Sequence, residues 1–186
     1  MQAVAVWGQG NGIWFLLAEL VGTYGIAAVA LFLLEPDRLT IGQSLGQAMV
    51  RLVAFTIAGI AIAVPVSMGL WMLVLPGLYL QARLIVAIPA MARHPALRPL
   101  PALRLSWKMT KGLDRALTGA LVALFLAQWL AVSPLLLADE ALRAGAANPV
   151  ALALVDALIA AIGAAYALAT LLLGVVAYRV RASKGT

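Results

Sequence analysis

Three ionisable residues lie inside otherwise apolar runs of the sequence: Glu19, Arg83 and Asp156. A charge at the centre of a bilayer costs at least about 2.5–3.5 kcal/mol, so each residue needs a partner or a wet cavity. Counted from the ends of the predicted spans, all three would lie about 9–11 Å deep in the outer half of the membrane. This match predicts a buried cluster. It would bind an ion, a proton or a lipid headgroup, or it would be a structural ion pair or an arginine that extends to the interface.

A second set of charges follows a helical spacing. Four basic residues recur one turn apart and form a basic stripe on a helix predicted over 102–115: Arg104, Lys108, Lys111 and Arg115. Trp107 flanks this stripe at the depth expected of headgroups. Facing the cytoplasm, each base would gain about 1 kcal/mol from anionic lipids. We predict a surface that binds lipid or a partner protein, and a role in setting the orientation is compatible with both.

The residue types that most enzymes need are scarce. The chain has no cysteine and one histidine, His94, which excludes disulfides and thiolate metal sites and argues against a metal cluster. No H-E-x-x-H, G-x-S-x-G or phosphate-binding glycine loop is present. We therefore expect no enzymatic activity, no metal and no cofactor.

The composition is that of a membrane protein. Hydrophobic residues make up 65% of the 186 residues and charged residues 11%, whereas soluble domains are about a quarter charged. The net charge of +6 comes from bases that lie between and after the apolar runs. This pattern is typical of the positive-inside bias and not of nucleic-acid binding. The sequence predicts an all-α polytopic transmembrane bundle, with 1–186 as a single domain.

The apolar runs predict five spans and two short amphipathic helices in the interface. The spans are 13–34, 52–75, 78–92, 116–137 and 149–178, and the interfacial helices are 40–51 and 102–115. The span at 78–92 is only about 22 Å long as a helix, so a full crossing or a re-entrant segment would both fit.

Prolines and glycines predict where these helices bend and end. Pro65 should kink the second span, and Pro76-Gly77 is the strongest break, so these residues are candidate hinges. Glu35-Pro36-Asp37 ends the first span, and Asn148-Pro149 is a good helix start after a polar loop at 139–148. In the last span alanine recurs at every fourth position from Ala153 to Ala169, which favours close packing within the chain or against a second copy.

The distribution of bases predicts the orientation. Segment 93–115 holds six Lys and Arg residues and the tail after Tyr178 holds three, whereas loop 139–148 holds one. The first two should therefore be cytoplasmic. Alanine and leucine dominate and arginine outnumbers lysine, as in a GC-rich bacterial gene. We expect a multi-pass protein of the bacterial cytoplasmic (inner) membrane with a cytoplasmic C-terminus.

Residues 76–112 carry a recognisable pattern: Pro76-Gly77-Leu78-Tyr79-Leu80, Arg83, Pro89, then Ala102-Leu103, Ser106-Trp107, Thr110 and Gly112. It resembles the PGLYL-x-x-R … P … AL-x-x-SW-x-x-T-x-G pattern of the membrane domain fused to some glycerophosphodiester phosphodiesterases, and of stand-alone bacterial relatives. The resemblance implies a helical membrane unit with interfacial helices. It implies no phosphodiesterase activity here, since the catalytic domain has no counterpart. It does imply a loose link to membrane or envelope upkeep.

Two functions are compatible with these features. The first is a non-enzymatic membrane protein that organises lipid or partner membrane proteins through its basic interfacial helices, with anionic lipids as the expected partners and no nucleic acid. The second is a small transporter or channel subunit that uses the Glu19–Arg83–Asp156 site.

Overall fold

A computed structural model describes residues 2–34, 39–144 and 148–183. Over these ranges the chain is all-α, without a strand, as predicted. The helices are α1 Gln2–Leu34, α2 Ile41–Val50, α3 Leu52–Met72, α4 Val74–Leu84, α5 Ala87–Arg93, α6 Pro99–Met109, α7 Asp114–Ala144 and α8 Pro149–Ala182. The predicted stop at Glu35-Pro36-Asp37 and the tail residue Lys184 lie outside the described residues.

Among the described residues, five segments are long and apolar enough to cross a membrane: Gly12–Leu34, Leu52–Met72, Val74–Arg93, Asp114–Ala144 and Pro149–Ala182. Their outward surfaces are apolar, and Trp71, for example, is 93% exposed. In water such a surface would drive association, whereas hydrocarbon solvates it. These features fit a multi-pass membrane protein.

The last two spans form a long helical pair. The predicted loop at 139–148 begins too early, because α7 continues to Ala144. Its final turns carry an i,i+4 ion pair between Arg143 and Asp139 at 2.9 Å, which supports the helix there. The predicted start of α8 is confirmed: the Asn148 side chain accepts hydrogen bonds from the backbone N–H groups of Val150 at 3.0 Å and Ala151 at 3.3 Å.

The turn between α3 and α4 corrects the predicted hinge. The chain breaks at Leu73, which is extended with φ −161° and ψ 139°, and not at Pro76-Gly77. Pro76 lies in the first turn of α4, where a backbone N–H has no helical partner and proline is tolerated. Gly77 is buried inside α4, and a Cβ there would lie 2.5 Å from the backbone nitrogen of Leu70. Gly77 therefore permits close packing of two helices and is not a hinge.

Pro65 lies inside α3, which is assigned as one helix from Leu52 to Met72. The predicted kink at this residue stays a prediction.

The third span consists of α4 and α5, separated by a break at Ile85 and Val86. α5 is almost completely buried and packs on α1, α6 and α8. The span begins where α3 ends, and it finishes beside the end of α8, where the Tyr178 hydroxyl lies 3.0 Å from His94 Nε2. It therefore runs from one end of the bundle to the other, as expected for a full crossing.

The helix predicted over 40–51 is confirmed as α2, and its place in the interface stays a prediction. Thr40 and Gln43 form a reciprocal capping box at its start, with N···O distances of 3.3 and 2.9 Å. Ser44 and Ala48 are buried against the bundle, whereas Met49 is 64% exposed. Ser44 and Ala48 thus face the protein, and the large apolar residues of α2 face outward.

The prediction of a single second interfacial helix over 102–115 is wrong. α6 ends at Met109, and a turn over 110–113 separates it from α7. Gly112 has φ 85°, in the left-handed region that favours glycine. The basic stripe is divided as a result: Arg104 and Lys108 lie on α6, Lys111 in the turn and Arg115 on α7.

Packing of the α8 alanine repeat within the chain, one of the two predicted arrangements, is not found for its first four members. These are exposed: Ala153, Ala157, Ala161 and Ala165. Intramolecular packing concentrates further along the helix. There Gly174 lies so close to α4–α5 that a Cβ would meet the Ile85 carbonyl oxygen at 2.5 Å.

We expect Gly77→Ala to lower stability by about 1–3 kcal/mol, the usual cost of overpacking, because the new methyl group clashes with the α3 backbone. Thermal unfolding in detergent, followed by circular dichroism, would measure the change. Gly163→Ala is the matched control, because no atom lies within 4 Å of a Cβ at that position, and alanine favours the helix. Equal stability of the two variants would contradict the close packing.

Candidate functional site

The break in the third span is bonded to side chains of α6. Where α4 stops, the Arg83 carbonyl accepts a hydrogen bond from the Ser106 hydroxyl at 2.9 Å. The same hydroxyl oxygen accepts from the backbone N–H of Val86 at 3.1 Å. The Thr110 hydroxyl lies 3.3 Å from the Arg83 carbonyl oxygen and 2.9 Å from that of Ser106. Ser106 and Thr110 are both completely buried. They replace the helical hydrogen bonds that the break removes.

The side chain of Arg83 also packs against α6. Arg83 is only 6% exposed, and its guanidinium carbon lies 4.4 Å from the centre of the Trp107 ring. Tyr79, one turn earlier on α4, meets Trp107 edge to face, with ring centroids 6.5 Å apart. A cation over an indole face is stabilised by about 2 kcal/mol or more when both are removed from water. Trp107 therefore stabilises a buried charge, in addition to its expected place in the interface.

The predicted cluster Glu19–Arg83–Asp156 is wrong. Arg83 faces α6, and the ion-pair partner of Asp156 is Arg143, at 3.8 Å. Among the described residues Glu19 forms no salt bridge. Counting along a helix gives the depth of a residue but not the direction of its side chain, and each residue turns the helix by about 100°.

The bases of the predicted stripe share one end of the bundle. Arg104, Lys108, Lys111 and Arg115 are all exposed, and the Lys111 carbonyl accepts a hydrogen bond from the Arg181 side chain. Arg179, on the same end of α8, donates to the Leu33 carbonyl at the end of α1, at 2.6 Å. We call this end of the bundle, which holds His94, Lys111, Arg179 and Arg181, the basic end.

The opposite end carries mostly acids. Asp139, Glu140 and Asp156 lie there with Arg143, which contacts two of them. We call this the acidic end. Among the described residues Asp114 is the acid at the basic end, where its carboxylate accepts from the Gly112 backbone N–H at 3.1 Å.

A cavity of about 370 Å³ lies between α1, α3, α4 and α8. Glu19 lines it, together with polar residues that the sequence analysis did not single out: Thr23, Ser67, Gln81, Tyr166 and Thr170. The Tyr166 hydroxyl donates to Gln81 Oε1 at 3.2 Å and joins α8 to α4. The polar residues within the apolar runs were the available signal, but their convergence depends on the tertiary packing.

No group of three or more His, Asp or Glu side chains in the described ranges lies close enough together to bind a metal ion. The expected absence of metal and cofactor stays a prediction.

No protein family, curated protein or solved structure matches the chain. The resemblance to the membrane domain of the phosphodiesterases therefore stays a prediction. Several residues of that pattern do meet in space, since Arg83, Ser106, Trp107 and Thr110 form the contacts of α4 with α6.

Replacing Ser106 by alanine should destabilise the protein by about 1–3 kcal/mol, because the buried N–H of Val86 would lose its partner. Unfolding by sodium dodecyl sulfate in mixed micelles, followed by tryptophan fluorescence, would measure the loss. Ser133→Ala is the matched control, because the partly exposed Ser133 hydroxyl donates to the Leu130 carbonyl of its own helix, at 3.4 Å, and joins no second helix. If Ser106→Ala cost no more than Ser133→Ala, α6 would not be stabilising the break.

Proposed function

We propose that this protein is a non-enzymatic component of the bacterial cytoplasmic membrane that organises anionic lipid around its basic end. The separation of charge between the two ends of the bundle is the observation that supports this function. Exposed bases lie on α6, in the following turn and on the starts and ends of the neighbouring spans, whereas the described acids, apart from Asp114, lie towards the other end.

The exposed bases of α6 are suited to bind lipid phosphates. Arg104 and Lys108 are one turn apart and exposed, and neither forms a salt bridge within the described part of the chain. Trp107 lies between them in sequence and is 41% exposed, so its free edge is available to acyl chains or headgroups. A base near an anionic leaflet gains about 1 kcal/mol. A few such bases would retain a layer of anionic lipid.

The same asymmetry supports an orientation. Bases near the ends of spans are retained on the cytoplasmic side, so we place the basic end and the C-terminus in the cytoplasm. The resemblance to stand-alone bacterial membrane proteins loosely linked to membrane or envelope upkeep agrees with a role among lipids. A partner membrane protein with an acidic surface would bind the same bases, and it is the second candidate partner of the basic end.

Transport through a site made of Glu19, Arg83 and Asp156 is not proposed, because these residues do not meet.

Replacing Arg104 by glutamine should weaken retention of phosphatidylglycerol by about fivefold, the equivalent of about 1 kcal/mol. Native mass spectrometry of the full chain, released from nanodiscs of graded phosphatidylglycerol content, would count the retained lipids. Arg143→Gln at the acidic end is the matched control and should retain as much lipid as the unchanged protein. Equal retention by the two variants would contradict the lipid role of the basic end.

The orientation has its own test, because the chain holds no cysteine and a single introduced thiol is unique. In spheroplasts, Glu140→Cys should react with an impermeant maleimide, and Arg98→Cys should react only after the membrane is opened. The reverse pattern would overturn the placement of the basic end in the cytoplasm, whether or not that end binds lipid.

A further inference from the structure

The cavity between α1, α3, α4 and α8 has a polar mouth and an apolar floor. Glu19, Ala63 and Ser67 are exposed, whereas Leu84, Ile85 and Leu171 are buried. In α1 the chain passes Glu19 before it reaches the basic end at Leu33, so the carboxylate lies on the side of the acidic end. The cavity therefore opens towards the acidic half of the bundle and closes towards the break in the third span.

The charge inside the cavity is negative. Glu19 is the acid among the described lining residues, and none of them is a base. An uncompensated carboxylate at membrane depth is costly, whereas a paired and hydrogen-bonded one is tolerated. The bound group expected beside Glu19 is accordingly a cation.

The neutral polar groups of the cavity are suited to accept N–H donors. Gln81 Oε1 accepts one hydrogen bond from Tyr166, and a carbonyl oxygen has a second lone pair. The Thr170 hydroxyl oxygen is buried and has no hydrogen-bond partner among the described residues. A buried hydroxyl without a partner costs about 1–3 kcal/mol, which a ligand would recover.

The remaining wall is aliphatic and includes Ile26, Ile62 and Ile88. A volume of about 370 Å³ lies within the range of small-molecule sites, and it exceeds what a bare cation needs. The wall and the volume are suited to an apolar body attached to the cation.

We propose that this cavity binds an ammonium group carried on an apolar body, with the Glu19 carboxylate as its counter-ion. Gln81 and Thr170 accept the remaining N–H donors, and the isoleucines contact the hydrocarbon. The ammonium belongs either to a free hydrophobic amine or to the headgroup of an ethanolamine lipid. This site is independent of the lipid binding proposed for the basic end.

The test uses the full chain in phosphatidylcholine nanodiscs and radiolabelled phenylbutylamine, with empty nanodiscs subtracted. We expect saturable binding, which phenylbutanol, its uncharged analogue, does not displace. Glu19→Gln should weaken binding at least about tenfold, as expected for the loss of a charge-assisted hydrogen bond. Glu140→Gln removes an acid outside the cavity and should leave the affinity unchanged.

Two further variants keep the test decisive if Glu19→Gln does not fold. Gly59→Leu places a side chain in the cavity, where a Cβ meets only Thr23 Oγ1 at 3.9 Å, and binding should be abolished. Thr170→Val should weaken binding severalfold without loss of thermal stability, because it removes a hydroxyl that has no partner in the unliganded protein.

The source of the ammonium is decided by adding phosphatidylethanolamine to the nanodiscs. Competition with phenylbutylamine identifies the lipid headgroup, and unchanged amine binding identifies a free amine. The proposal is overturned if no saturable binding occurs, if phenylbutanol competes as well as the amine, or if Glu19→Gln and Glu140→Gln bind alike.

Discussion

The bilayer interior offers no water to a backbone group that lacks a partner, so every break in a membrane helix needs a substitute hydrogen bond. The third span breaks at Ile85 and Val86, and the hydroxyl of Ser106 bonds both sides of that break. This contact fixes α6 against α4. The position of α6 in turn fixes Trp107 over Arg83, so a charge that hydrocarbon would not tolerate is held on an aromatic face.

The helices pack closely around the third span. α5, which follows the break, packs on α1, α6 and α8, and five of its seven residues are buried. Gly174 of α8 then lies directly against the Ile85 carbonyl, and Gly77 lies directly against α3. Small residues are needed at these two contacts because the backbones themselves meet, which is how membrane helices gain packing energy without a hydrophobic drive between them.

The sequence predicted the features that depend on local rules. The number of spans follows from apolar length, α2 follows from the amphipathic pattern of 40–51, and the start of α8 follows from the capping residue Asn148. The prediction of the Glu19–Arg83–Asp156 cluster failed because the sequence does not give the direction of each side chain around its helix. Gln81 and Arg83 are two positions apart, which is about 200° around a helix. One therefore lines the cavity with Glu19 while the other meets Trp107, although their depths are similar. The turn at Gly112 was missed because bases recur at helical spacing on both sides of it.

The two regions of interest are connected through the third span. Ile85 and Ile88, which flank and follow the break, form part of the cavity floor, while Ser106 bonds the backbone at the same break from the other side. The bases of α6 and the carboxylate of Glu19 thus lie on opposite sides of one structural element. Release of Ser106 from the break would leave the buried N–H of Val86 without its partner, so the packing of α6 and the backbone beside the cavity floor depend on the same hydroxyl.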